Sequence, residues 1–141
     1  LGEVDFVSIG TNDLTQYTMA ADRLLGDLAH LNNPWQPAVL KMIKMTVEGA
    51  QRASVTAGKK KYVSVCGEAA ADPALAVVLI GLGVDTLSMN AGAIPAVAAV
   101  LKSVTKEKAQ QIAAIALQQI SSAEAKESAR KALPILDELG L

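Results

Sequence analysis

Two short segments of this chain carry side chains that could do chemistry. In the first, Gly10 is followed by Thr11, Asn12 and Asp13, and Arg23 lies ten residues beyond the aspartate. The Asp13 carboxylate could hold a divalent cation, and the Arg23 guanidinium could bind a phosphate or carboxylate through two parallel hydrogen bonds. The alternative is an Asx turn at Asn12 and Asp13 with a surface arginine, and the spacing alone favours this second interpretation.

The second segment surrounds Cys66, the only cysteine of the 141-residue chain, which is followed by Gly67 and Glu68. By residue type alone, a free cysteine is most often a buried and unreactive side chain. Because Cys66 has no partner in the chain, an internal disulfide is excluded and a reducing, cytoplasmic compartment is favoured. Glu68 could orient the cysteine loop, pair with a cation or remain solvated.

Three short strands are predicted to position these segments, at residues 4–10, 62–66 and 84–89. Their alternation with helices predicts parallel strands joined by right-handed crossovers, which is the α/β class. In such a sheet the carboxyl ends of the strands lie on one face, and ligands bind there. We therefore expect Asp13 and Cys66 to meet at one edge of the sheet.

The remaining pattern is mainly helical. Helices are predicted at residues 14–21, 38–58, 73–82, 94–103 and 106–120, and from residue 121 onward. Asp72 before Pro73 is a good cap, Ser121 and Glu124 have the spacing of a capping box, and Pro134 should shorten the last helix. Residues 22–37 are predicted to be mainly a long loop, and loops of that length are usually functional.

Composition excludes several classes of function. Thirteen basic and fourteen acidic side chains give a formal net charge of -1, so binding to nucleic acid or to an anionic membrane is not expected. The apolar stretch at residues 91–101 is too short and too rich in alanine to span a bilayer, and no leader opens the chain. We therefore expect a soluble cytoplasmic protein with no membrane partner.

Read as a whole, the string from Ser8 to Arg23, SIGTNDLTQYTMAADR, closely resembles the signature of the phosphoenolpyruvate (PEP)-utilising enzymes. Two further segments are similar to that family's cysteine motif and last barrel strand, VCGEAAADP at residues 65–73 and GLGVDTLSMN at residues 81–90. The resemblance covers essentially residues 4–103. It is closer to Enzyme I of the sugar phosphotransferase system than to pyruvate phosphate dikinase or PEP synthase.

The resemblance implies a fold and a set of roles. The fold would be a partial (β/α)8 TIM barrel, with the last three β/α units at residues 1–104 and a C-terminal helical tail at residues 105–141 packed on the same domain. Asp13 would be one carboxylate ligand of Mg²⁺, Asn12 would contact the phosphoryl group and Arg23 would help to neutralise its charge. Cys66 would be the general acid that protonates the enolate carbon as pyruvate forms.

The implied reaction is phosphoryl transfer from PEP to an enzyme histidine and on to a histidine-containing phosphocarrier protein, with release of pyruvate. Earlier barrel strands, the phosphohistidine domain and the carrier-docking domain have no match in this sequence. We therefore expect little or no turnover from the chain alone, and association into a homodimer that covers its open strand edges. The alternatives are a dikinase or synthase fragment, or a non-catalytic dimerisation or regulatory module derived from the same barrel.

Overall fold

The computed structural model describes residues 1–22 and 24–141, which form a mixed, mostly helical α/β structure. The strands are β1 (Phe6–Gly10), β2 (Tyr62–Cys66) and β3 (Thr86–Ser88). The helices are α1 (Thr11–Met19), α2 (Pro37–Ala57), α3 (Glu68–Ala71), α4 (Pro73–Leu82), α5 (Ile94–Lys102), α6 (Lys106–Leu117), α7 (Ser122–Lys131) and α8 (Ile135–Glu138). Within the described residues, no helix has both the length and the apolar character needed to cross a membrane.

The strands form one parallel sheet in the order β1-β2-β3, so the predicted parallel arrangement is confirmed. The first strand is shorter than predicted, and so is the third. Val84 belongs to the turn that leaves α4, because its N–H donates to the Leu79 carbonyl, and the Asp85 carboxylate takes the place of a backbone acceptor for the Val63 N–H. Only three residues are left to pair as β3.

The two faces of the sheet have different surroundings. Val63 and Val65 of β2 and Ile9 of β1 point to the helices and are buried, which follows from the period-two alternation of a strand. The other face carries Phe6 and Tyr62, whose side chains remain 64% and 51% exposed. This open face also carries the cysteine at the end of β2.

Helix α4 lies at the centre of the core, because it is apolar on every side. Seven of its ten residues are buried: Ala74, Leu75, Ala76, Val77, Val78, Leu79 and Leu82. Helix α6 packs on it at very short range, since a Cβ added at Gly81 would lie 2.1 Å from the Ala109 carbonyl oxygen. The alanine-rich composition of the last third of the chain therefore serves close packing between helices.

The predicted helix signals have mostly the expected geometry. The Asp72 carboxylate caps α4 by accepting from two backbone N–H groups, and the Ser121 hydroxyl caps α7 by accepting from the Glu124 N–H. The Glu124 carboxylate accepts from the Ile120 N–H instead of closing a capping box on the serine. Helix α7 ends before Pro134, as predicted, and α8 follows.

Helix predictions also differ from the structure, and α6 ends at Leu117 instead of residue 120. Helix α1 begins directly at Thr11, three residues earlier than expected, because the chain turns from strand to helix at Gly10. The segment between α1 and α2 is not purely a loop, since Gly26–Leu31 forms a 3₁₀ helix.

The lysine run at residues 59–61 lies at the amino end of the sheet and is only partly solvated. Lys61 is only 8% exposed, and its ammonium donates to the Val4 carbonyl at 2.6 Å. The Lys59 ammonium, hydrogen-bonded to Asp5, holds the pKa of that carboxyl below its usual value. The hydrogen bond that the Lys60 ammonium donates to the Asp85 carboxylate raises the pKa of Lys60. These contacts lie at the end of the sheet opposite the candidate site, and only the Lys61 ammonium among the three is buried.

Candidate active site

The carboxyl ends of the three strands lie side by side. In the register of the sheet, Gly10 at the end of β1 pairs with Cys66 at the end of β2, which in turn pairs with Ser88 of β3. The polar residues that follow each strand, Asn12 among them, therefore start from the same edge. The sheet therefore brings the segment with Asn12 and Asp13 next to the segment with Cys66, although about fifty residues separate them in the sequence.

Cys66 is half-buried and lies on the open face of the sheet. Its thiol donates to the Ile9 carbonyl oxygen of the neighbouring strand at 3.6 Å. Ser64, two residues earlier on the same face, makes the equivalent contact to the Val7 carbonyl at 3.3 Å. The geometry therefore favours an accessible, oriented thiol over an inert core residue.

The turn after Cys66 is held on one side by the end of β3 and on the other by the start of α1. Gly67 has φ 99° and ψ -157°, a backbone conformation that is essentially restricted to glycine. Its N–H donates to the Ser88 carbonyl at 3.1 Å. On the other side, the hydroxyl of Thr11, which is 1% exposed, donates to the Cys66 carbonyl at 3.5 Å. The sequence identified Thr11 only as a polar group at a strand end, and its contact with the cysteine loop needed the sheet register.

Asn12 and Asp13 are exposed in the first turn of α1. The Asx turn considered from the sequence is therefore wrong, because both residues are helical. Asp13 is the acidic residue of that first turn, where the helix dipole favours a negative charge. Arg23, the other residue expected to contact a phosphoryl group, lies outside the described residues.

The donor chemistry of this edge fits Mg²⁺ only in part. Carboxylate oxygen is the ligand that Mg²⁺ prefers, and the ion is usually held by one or two carboxylates together with substrate phosphates and water. Asp13 meets this requirement as a single ligand. Residues 1–22 and 24–141 contain no group of three or more histidine, cysteine, aspartate or glutamate residues that could hold a metal ion by themselves.

A cavity of about 350 Å³ lies beside this edge. It is lined by Asn12 and Glu68 from the two strand ends and by Asn32 and Pro34 from the segment between α1 and α2. Both side-chain amide atoms of Asn32 are buried, and neither has a hydrogen-bond partner among the described residues. Asn32 had no signal in the sequence beyond its position in a long loop.

The family model and the similar proteins indicate the same family for this chain. The model of the PEP-binding domain of PEP-utilising enzymes matches residues 1–106. A Streptomyces coelicolor protein named phosphoenolpyruvate-protein phosphotransferase is 47% identical over 133 residues, which cover 94% of this chain and 23% of that protein. Proteins of the same name from Haemophilus influenzae and Bacillus subtilis are 40% and 42% identical, over 86% and 77% of this chain. The chain spans about a fifth of the length of these relatives.

Proposed function

Because this chain belongs to the family of PEP-utilising enzymes, in the region of their PEP-binding domain, we propose that it is the C-terminal part of a phosphoenolpyruvate-protein phosphotransferase of the Enzyme I type. The longer protein transfers the phosphoryl group of PEP to one of its own histidines and then to a histidine-containing phosphocarrier protein. The names of the relatives favour this over a dikinase or synthase. The observation that carries the proposal is the register that pairs Gly10 with Cys66.

In the proposed site, Asn12 and Arg23 bind the phosphoryl group. Asp13 is the residue of this chain that would hold Mg²⁺, and the ion, when bound, neutralises charge on the phosphoryl oxygens. The exposed position of Asn12 and Asp13 in the first turn of α1 supports these roles, because the N–H groups of a helix N-terminus also favour an anion. Positioning and charge neutralisation are what phosphoryl transfer requires from a protein.

The proton step falls to Cys66. The bond between phosphorus and the enol oxygen of PEP breaks as phosphorus bonds to the histidine nitrogen, and the departing enolate needs a proton on its methylene carbon. The Cys66 thiol gives that proton, and the resulting thiolate regains one from solvent before the next turnover. Its half-buried position on the open face of the sheet supports this role.

Replacing Cys66 tests the proposed function in the full-length protein. Cys66→Ala is expected to lower pyruvate release about 10²- to 10⁴-fold, because a positioned general acid contributes that much. Ser64→Ala is the matched control, since Ser64 lies two residues earlier on the same face and makes the same type of contact with β1. Phosphoryl transfer and pyruvate release that remain unchanged in Cys66→Ala would instead favour a non-catalytic dimerisation or regulatory module.

The wider fold proposed is a partial (β/α)8 barrel, with residues 1–104 as its last three β/α units and residues 105–141 as a helical tail on the same domain. Within the described chain, β1 and β3 each pair only with β2, and the open face exposes Phe6 and Tyr62. Earlier strands of the longer protein would cover this face. The proposal also places the protein in the cytoplasm, in agreement with its single free cysteine.

The isolated 141-residue chain is expected to form a homodimer. Two open strand edges and an exposed aromatic face favour association, because unpaired edges are ready to pair with another chain. Sedimentation velocity at low micromolar concentration should give a mass near twice 14.6 kDa. A folded species that sediments at 14.6 kDa would contradict this expectation.

A further inference from the structure

We propose that Trp35 and Asp72 are positioning residues, whose hydrogen bond fixes the segment between α1 and α2 against the segment that follows Cys66. This inference rests on the proposed function, because it concerns the geometry of the same site. Neither residue was assigned a role in binding or chemistry from the sequence, where Asp72 was expected only to cap a helix.

Trp35 is the single tryptophan of the chain and lies two residues before α2. Its side chain is 2% exposed, and its indole Nε1–H donates to the Asp72 carboxylate oxygen Oδ2 at 3.0 Å. Its backbone N–H donates to the side chain of Asn33 at 3.0 Å, which fixes the approach of the chain to the ring. A buried indole N–H requires such a partner, because leaving it unpaired costs free energy.

Asp72 divides its two carboxylate oxygens between two elements. Oδ1 caps α4 by accepting from the N–H groups of Ala74 at 2.9 Å and Leu75 at 3.2 Å. Oδ2 accepts from the indole and lies 3.9 Å from the Lys126 ammonium of α7. A single carboxylate therefore contacts the start of α4, the segment before α2 that contains Trp35, and helix α7.

Only the short helix α3 separates Asp72 from the Cys66–Gly67 turn. Two of its residues, Ala69 and Ala70, are 1% and 0% exposed, and the Ala70 N–H donates to the Gly67 carbonyl at 3.1 Å. This packing makes α3 a rigid connection. A change in the position of Asp72 is therefore transmitted to the cysteine loop.

The loop segment, residues 24–36, and α3 are separated in part by two cavities. The site cavity, lined by Asn12, Asn32 and Glu68, lies between them, and a second cavity of about 350 Å³ is lined by Asn33, Trp35 and Asp72. Among residues 24–36 and 66–72, the indole-carboxylate contact is the only hydrogen bond between the two segments. The bond therefore sets the distance between the segments on either side of the site cavity.

Two substitutions remove this bond from opposite ends. Trp35→Phe keeps an aromatic ring and removes the donor. Asp72→Asn leaves a single acceptor oxygen for two roles. If that oxygen caps α4, for which asparagine is as good as aspartate, the N–H₂ group faces the indole, which needs an acceptor. If the oxygen faces the indole instead, the cap of α4 is lost. Thr105→Ala is the matched control, because it removes the hydroxyl cap that accepts from the Lys108 N–H at the start of α6 and leaves the indole-carboxylate bond in place.

The experiment measures kcat and KM for PEP in the full-length protein, well below its unfolding temperature. Each single variant should lower kcat about tenfold, because a small misplacement of reacting groups has effects of this size or larger. The double variant should be no worse than the poorer single variant, while Thr105→Ala keeps the original kcat. The loss of an indole N–H signal in the NMR spectrum of Trp35→Phe assigns the Trp35 proton. In Asp72→Asn, that proton should exchange with solvent much faster than in the original protein.

Three results would overturn the inference. The first is a kcat within twofold of the original in both single variants. If Cys66→Ala still abolishes pyruvate release, this result contradicts the positioning role alone and not the proposed function. The second is a double variant whose loss is the product of the two single losses. The third is unchanged pyruvate release in Cys66→Ala, which removes the proposed function and this inference with it.

Discussion

Gly67→Ala is expected to reduce pyruvate formation by the full-length protein about a hundredfold. Gly67 has φ 99° and ψ -157°, where a Cβ is strongly disfavoured, and a non-glycine residue there costs about 1–3 kcal/mol. The chain can relieve this strain only by moving the turn that carries Cys66. A displacement of about 1 Å at reacting groups is enough for a loss of this size.

Gly58→Ala controls for backbone strain alone. Gly58 ends α2 with φ 62°, at the opposite end of the sheet from the site, and a Cβ there would meet nothing within 4 Å. This variant should lose stability but retain its kcat for pyruvate release. If Gly67→Ala lost no more activity than Gly58→Ala, the turn would not be setting the position of the thiol.

Gly81→Ala is expected to destabilise the fold by about 3 kcal/mol or more, since overpacking against backbone forces elements to move apart. A Cβ at Gly81 would lie 2.1 Å from the Ala109 carbonyl oxygen and 2.5 Å from its carbon. Neither atom belongs to a flexible side chain. Helix α6 would have to shift away from α4, and the buried contacts of Ala113 would be lost with it.

Urea unfolding of Gly81→Ala and Gly49→Ala separates this clash from the general effect of replacing a helical glycine. In α2, a Cβ at Gly49 would lie 3.8 Å from its nearest neighbour, the Leu1 side chain, which is an ordinary contact. Gly49→Ala should therefore increase the free energy of unfolding by about 0.5–1 kcal/mol. Equal stability of the two variants would contradict the close approach of α4 and α6.

Local patterns predicted much of the fold. The strand at residues 62–66 and the helix at residues 73–82 have the predicted bounds, because period-two alternation, a capping aspartate and a following glycine are all local signals. The predicted start of α1 was wrong because it, too, was based on local signals alone. Whether a chain continues from a strand into a loop or a helix depends on what packs against it, and α1 packs on α2 and α3.

The candidate site was predictable in part. Cys66 and Asp13 stood out by residue type and by the motifs around them, and the parallel sheet places both at one edge. Asn32 and Trp35 did not stand out, because their surroundings come from residues far away in the sequence. The partner of Trp35 is 37 residues away, and no local rule connects an indole with a carboxylate at that distance.

Sequence by itself determined the order of the strands and of the longer helices, the α/β class and the two segments proposed to carry the chemistry, since these depend on neighbouring residues along the chain. Only the tertiary structure decided that Gly10 pairs with Cys66, that Thr11 contacts the cysteine loop and that Asp72 joins three elements. Register and close approach are set by the packing of the whole core around α4. A single side-chain type contains no information about which distant backbone atom it will meet.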